Sequence, residues 1–291
     1  MAVNNLSYQF RSASIVVKLI VINAAIFFIV YLGSFFFQLN SDVFTKWLIL
    51  PEDFSTLVTQ PWTLLTYSFM HFGFWHIFWN MFVLYWFGAF VINQFSEKRF
   101  LTIYLLGAIF GGLLYIFAYN LFPVFNDFNG RLLGASAAVR AIMIFIAAYS
   151  PNIQVRIFFF KLKLWQIGLF VVLLDLIQLP TSGNAGGLLA HLGGALFGYV
   201  YAIQLTKGND IGKWFENIIS WFLDLFRPRN KSPFKKVHRT THTRASHTKS
   251  KASQEEYQKK VDAILDKIGK SGYDSLTKAE KDFLFKAGKE N

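Results

Sequence analysis

The chain contains no cysteine among its 291 residues, and it is poor in charge. The first absence excludes a disulfide framework, thiolate-held zinc, iron–sulfur clusters and a thiol nucleophile. The second says more: 16% of residues are charged and 54% are hydrophobic, with a mean hydropathy of +0.36, whereas a soluble domain carries about 25% charged residues. That balance excludes an ordinary soluble enzyme. Acidic residues are scarcest, 17 against 29 basic, for a net charge of +12. Such a surplus raises nucleic acid as a partner until the charge is located.

Its location removes that reading. Residues 1–206 hold 10 Lys/Arg and 6 Asp/Glu, and residues 207–291 hold 19 and 11. The run from Arg227 to Lys251 has nine basic residues and no acidic one. An apolar, nearly neutral body followed by a basic polar tail reads as a membrane domain with a cytoplasmic extension that meets anionic lipid, not as a nucleic-acid binder.

Six apolar stretches approach or reach the ~20 residues that cross ~30 Å of hydrocarbon: residues 15–37, 72–93, 100–119, 132–150, 164–179 and 185–205. No small-residue cleavage site follows the first, so it is expected to be a retained span rather than a signal peptide. With the N-terminus inside, the inner segments hold Arg11, Lys18, Lys98, Arg99, Arg156, Lys161 and Lys163, and the outer ones only Lys46 and Arg131. That bias predicts six spans with both termini cytoplasmic. The outer connection, residues 38–71, carries Trp47 and Trp62 and is expected to lie in the membrane interface.

Polar groups at membrane depth are costly and need partners or a water-filled cavity. His76 and Asn80 lie four apart, on one face of the second stretch. Ser136 opens the fourth and His191 sits in the sixth. Spans two, four and six run in the same direction, and His76, Ser136 and His191 each lie within about 10 Å of the outer boundary at 1.5 Å per residue. Four polar groups from three helices therefore converge at one depth. Ser136 stands among small residues at a helix start, where backbone N–H groups are unpaired. His191 flanks the small-residue series Ala190, Gly194, Gly198, which permits close helix approach. A serine and a histidine within reach of one another would allow nucleophile activation.

The pieces His71-Phe-Gly-Phe-Trp-His76-Ile-Phe-Trp-Asn80, Gly134-Ala-Ser136-Ala and Ala190-His191-Leu-Gly-Gly-Ala-Leu-Phe-Gly198 resemble, in order and position, the rhomboid family of intramembrane serine proteases. The resemblance covers roughly residues 14–206. It implies an all-α polytopic membrane protein, a six-helix rhomboid-like bundle with a basic cytoplasmic C-terminal tail, in a bacterial cytoplasmic membrane. It also implies a Ser136–His191 dyad without a required carboxylate, and an oxyanion held by the Ser136 backbone N–H with the His76 and Asn80 side chains, each donor worth ~3–4 kcal/mol. Substrates would be transmembrane proteins. No cofactor or metal is implied.

Four positions depart from the family's pattern. Ala137 follows the serine where glycine is commoner, Trp62-Thr63 replaces a Trp-Arg pair, and Ile92 replaces a glutamate four residues after Gly88. Arg140 stands one turn beyond Ser136 where an aromatic often packs on the dyad histidine. A cation there would weaken the base. Asp175 lies at similar depth on the next span, and the two are expected to pair. Arg140, Asp175 and His71 are thus candidates for tuning the dyad. Arg140 also motivates the alternative of a pseudoprotease that binds transmembrane clients without cutting them, and a small transporter relaying protons through His76, Arg140, Asp175 and His191 is the third reading.

Four regions follow: 1–13 as a cytoplasmic N-terminus, 14–206 as the membrane domain, 207–254 as an amphipathic helix and polybasic linker, and 255–291 as a small helical module. Apolar residues near i, i+3, i+4 spacing from Asp210 to Phe226 predict an interfacial helix. The stretch Arg227–Lys251 reads as a polybasic linker in preference to a metal site built on His238, His242 and His247. Helices are expected over 255–268 and 277–287, the second opened by the capping-box pattern Thr277-Lys-Ala-Glu280. This last part resembles a module at the ends of some Bacteroidota rhomboids.

Overall fold

The computed structural model describes residues 2–38, 43, 45–125, 130–157, 159–225 and 251–289. The chain divides into two compact units, Met1–Arg227 and Pro228–Asn291. In the first, helices α1 (Ala2–Ser12), α2 (Ile15–Phe36), α3 (Phe54–Thr59), α4 (Thr63–Thr66), α5 (Phe74–Ile92), α6 (Glu97–Leu121), α7 (Ser136–Tyr149), α8 (Leu164–Gln178), α9 (Ala185–Thr206) and α10 (Lys213–Leu225) follow in order. Residues 1–13, expected only as a short extramembrane segment, contain α1.

All six apolar stretches form helices, with bounds within four residues of those expected. Serine and asparagine caps start several of them: Val17 N–H donates to Ser14 Oγ, Arg99 N–H to Ser96 Oγ and Gly187 N–H to Asn184 Oδ1, satisfying donors that a helix start leaves unpaired. By length and apolarity α2, α5, α6 and α9 qualify as membrane spans, while α7 and α8 are apolar but have 14 and 15 residues. Fourteen residues reach about 21 Å, short of ~30 Å of hydrocarbon. The expected fourth span, 132–150, loses its first residues for a specific reason. Leu132 pairs with Leu50 in a short antiparallel ladder between β1 (Leu50–Pro51) and β2 (Arg131–Leu132), and Gly134 then turns the chain at φ +116°. Irregular backbone at that depth is tolerated because it is buried in protein: Leu132 and Ala135 are buried, and Gly134 N–H donates to Tyr67 O at 2.9 Å.

The core centres on α7, whose residues Ala137–Val139 and Ala141–Ala147 are all buried. Helix α9 packs on it through glycines. A Cβ at Gly194 would overlap the Ala137 carbonyl, one at Gly198 the Ala141 carbonyl, and one at Gly107 of α6 the Ala141 methyl. The small-residue faces read from the sequence are therefore the surfaces on which α6, α7 and α9 meet. Gln154–Ile157 and Phe160–Lys163 form an antiparallel hairpin, β3–β4, between α7 and α8. Within the 38–71 connection, Trp62 Nε1–H donates to Trp47 O at 2.8 Å and Thr66 Oγ1 to Leu48 O at 2.7 Å. Thr63, at the position of the family's arginine, is fully buried with its hydroxyl on Gln60 O.

Helix α10 is amphipathic. Glu216 and Ile219 are buried, while Trp214, Ile218, Trp221 and Phe222 are exposed; Phe226 lies outside the described residues. It is fastened to α6 by polar contacts: Arg99 binds Asp210 and lies 3.3 Å from Glu216, and Lys98 donates to Ser220 Oγ. Burial alone would raise the Asp210 carboxyl, but the Tyr201 hydroxyl and the Arg99 guanidinium outweigh it and hold it below its ordinary 3.8.

In the second unit, α11 (Lys251–Ser271) and α12 (Lys278–Lys289) flank a turn at Gly272. Tyr257 packs on Phe283. The capping box closes reciprocally: Thr277 N–H and hydroxyl donate to Glu280, and Glu280 N–H donates to Thr277 Oγ1. These bonds, with Lys267 beside them, lower the Glu280 carboxyl to about 2. Of the polybasic stretch Arg227–Lys251, residues 227–250, which include His238, His242 and His247, lie outside those described.

Two outcomes follow from this packing. Gly194→Val forces α9 off α7 and costs about 3 kcal/mol, read as a lowered thermal midpoint in detergent; an unchanged midpoint would remove the close-packing argument. Because folding lowers the Asp210 pKa, its contribution is fully present above pH 3.8 and is lost as pH falls through the lower folded value. Asp210→Asn should weaken hydrogen-exchange protection of residues 213–225 by about 1 kcal/mol at neutral pH, and by less as the pH falls through that value. Equal protection in both proteins at neutral pH would contradict it.

Candidate functional site

A cavity of about 500 Å³ opens between α5, α7 and α9. Ser136, His191, His76, Asn80 and Arg140 all line it, so the four polar groups expected to converge do share one space. Ser136 is the first residue of α7, and its backbone N–H therefore has no intrahelical acceptor. The preceding turn aims this helix start. The φ of +116° at Gly134 is one that L side chains rarely adopt, and a Cβ there would come within 2.7 Å of His76 Nε2. Glycine is thus required both by conformation and by the approach of His76.

The other N–H of the turn is already used: Ala135 N–H donates to His71 Nε2 at 3.3 Å. His71 is 4% exposed, and its ring lies edge-on to His76 with centroids 5.0 Å apart. It stands behind the serine turn, away from the lining of the Ser136 cavity, and its acceptor nitrogen fixes that turn. Asn80 is buried and donates from Nδ2 to His76 O, one turn back on its own helix, at 2.9 Å. That bond occupies one of its two amide protons and leaves the second.

Arg140 does not face the cavity as an uncompensated cation. Its Nε lies 2.9 Å from Asp175 Oδ2 and its Nη2 3.1 Å from Asp175 Oδ1, a bidentate pair across α7 and α8. The same carboxylate approaches the histidine, with His191 Nδ1 3.3 Å from Asp175 Oδ1. Asp175 is 4% exposed, the Arg140 side chain 20% and the His191 side chain 15%. With the imidazole neutral, this cluster of three carries no net charge, which limits its cost at membrane depth.

The contact between His191 and Asp175 lies beyond the expected Arg140–Asp175 pair, yet the sequence carries a signal for it. Helices α8 and α9 are joined by a short connection. Asp175 lies three residues before the end of α8 and His191 six after the start of α9, so an antiparallel hairpin places them close. Among the described residues, no group of three or more histidine, aspartate or glutamate side chains could hold a metal ion.

Comparison with known proteins gives the family. Residues 58–208 match the rhomboid domain, and residues 248–287 match a family of unknown function (DUF6576). The chain is 28% identical over 192 residues to RHOMBOID-like protein 12, mitochondrial, of Arabidopsis thaliana, covering 58% of this chain and 56% of that protein. It is 29% identical over 162 residues to Presenilin-associated rhomboid-like protein, mitochondrial, of Homo sapiens, covering 54% and 40%. Over 181 residues it is 25% identical to Rhomboid protein 1, mitochondrial, of Saccharomyces cerevisiae, covering 58% and 51%. The chain spans about half the length of the curated relatives it matches. These relatives are named as mitochondrial, which overturns the expectation of a bacterial cytoplasmic membrane. That expectation came with the family resemblance, and the charge bias orients a bundle within a membrane without identifying the membrane. The rhomboid match extends over just more than half of the 291 residues, and the chain belongs to the rhomboid family.

Proposed function

We propose that the chain is an intramembrane serine endopeptidase that cleaves transmembrane segments of other membrane proteins with Ser136 as nucleophile and His191 as general base. The observation that carries this reading is the single cavity lined by Ser136, His191, His76 and Asn80. Ser136 Oγ attacks the scissile carbonyl carbon while its proton passes to His191 Nε2. The developing oxyanion is held by the Ser136 backbone N–H with donors from His76 and Asn80. His191 then returns the proton to the leaving amine as the C–N bond breaks, and a water molecule, activated by the same nitrogen, hydrolyses the acyl-enzyme. The cavity suits this sequence because hydrolysis needs water at membrane depth, which only a polar, protein-lined space can hold.

The pseudoprotease reading drew on Arg140 as an uncompensated cation beside the base. The bidentate Arg140–Asp175 pair takes away that motive, and no observation favours a transporter over a protease. The basic residues of the tail are proposed to meet anionic lipid headgroups on the side of the termini.

The test uses the purified full-length protein in detergent with a single-span reporter. Cleavage by the parent, reduced at least about 1000-fold in Ser136→Ala, is the expected result. Cleavage that persists in Ser136→Ala would overturn the nucleophile, and reporter binding without cleavage by the parent would establish the pseudoprotease instead.

A further inference from the structure

We infer that Asp175 is a positioning residue which fixes His191 with its proton on Nδ1, so that the dyad of the proposed protease works as a triad, Ser136–His191–Asp175, steadied by Arg140. This inference rests on the serine protease reading above.

Asp175 occupies an unusual place on its helix. Of the fifteen residues of α8, those buried are Leu164, Gly168 and Asp175; the neighbouring Leu173, Leu174, Leu176 and Ile177 are exposed. A helix whose second half turns its leucines outward and its one carboxylate inward, at membrane depth, does so against the cost of burying charge. That cost is offset only by close partners. There are two, and they use the carboxylate differently. Arg140 meets it with both Nε and Nη2, one to each oxygen. His191 Nδ1 meets Oδ1 alone, at 3.3 Å.

Arg140 has only donors, so its fork holds the carboxylate ionised and sets its plane. An ionised carboxylate only accepts, and the imidazole nitrogen facing it must therefore donate. The tautomer follows: Nδ1 carries the proton, and Nε2 keeps the lone pair that a general base needs. The opposite tautomer would aim the Nδ1 lone pair at a carboxylate and leave Nε2, the nitrogen that serves Ser136, without one. Groups that face His191 come from every packed element: Asp175 from α8, Arg140 and Ser136 from α7, and His76 from α5, which lines the same cavity. Asp175 supplies the anion of this set.

The proton balance is complete without any further reactant. The Ser136 proton moves to Nε2 as the Oγ–C bond forms, giving an imidazolium whose Nδ1–H still donates to Asp175. The same proton leaves Nε2 for the amine as the C–N bond breaks. Asp175 is never protonated, and Arg140 keeps it so.

A purely structural role, in which Asp175 does no more than neutralise Arg140, makes a different set of predictions. The test compares the full-length parent with Asp175→Asn and Asp175→Glu in detergent, reading reporter kinetics together with imidazole nitrogen NMR of histidine-labelled protein. His191→Ala serves to assign the signal. Expected are an Nδ1–H tautomer for His191 in the parent, a switch away from it in Asp175→Asn, and a kcat reduced about 100-fold or more with KM within about threefold. Partial recovery of kcat and of the parent tautomer is expected in Asp175→Glu. An Nε2–H tautomer in the unmodified parent overturns the inference, whether or not any variant folds. Parent-like kcat in a folded Asp175→Asn overturns it as well. Because the parent tautomer is read without substrate, this failure is distinguishable from loss of the protease reading, which the Ser136→Ala reporter assay reports separately.

Discussion

The site depends on how closely α9 approaches α7. Histidine and serine come from different helices, and side chains of ordinary size would hold helix axes about 8–10 Å apart. Here Gly194 and Gly198 leave no room for a Cβ against the carbonyls of Ala137 and Ala141, and Gly107 does the same for α6. Three backbones are thereby drawn together around α7, and the two ends of the proposed dyad, Ser136 on α7 and His191 on α9, line one cavity. Packing between small residues is the means that a membrane interior offers, since lipid tails remove the hydrophobic drive that joins helices in water. The shortness of α7 follows from the same arrangement. Its first turn begins inside the protein at Ser136, and the β1–β2 pairing, the Tyr67 carbonyl and the His71 ring take up backbone hydrogen bonds of the segment before it.

Charge is the second constraint. A bundle at membrane depth tolerates ionised groups only in matched sets, and Arg140, Asp175 and a neutral His191 make such a set. The arginine that departs from the family's pattern is thereby joined to an aspartate that faces the same histidine. On the inference drawn above, a substitution that would damage a bare dyad becomes, with its partner on the adjacent helix, a means of orienting it. At the other end of α6, Arg99 plays a structural counterpart by holding Asp210 and Glu216 and so fastening the amphipathic α10.

Apolar run length and composition made the helices of the membrane unit legible, because each run is longer than a turn of any other structure could use. The small-residue series, the Thr277–Glu280 capping box and the pairing of Arg140 with Asp175 were readable for a similar reason: each depends on local spacing or on depth counted along successive helices. What the sequence hid depends on contacts between distant segments. The β1–β2 ladder that shortens α7, the hydrogen bond from Ala135 to His71 and the approach of Asp175 to His191 all require knowing which segments touch. Asn80 shows the same limit from the other side, since its spacing from His76 correctly placed both on one face while leaving open that its amide bonds back to the His76 carbonyl.

The most direct measurement asks whether Ser136 is a nucleophile that His191 activates. Full-length protein in bilayers, treated with a fluorophosphonate and read by mass spectrometry of its peptides, should carry the adduct on Ser136, with the labelling rate falling about 1000-fold in His191→Ala. Absence of an adduct at Ser136, or labelling that proceeds at the same rate without His191, would contradict the proposed chemistry of this site.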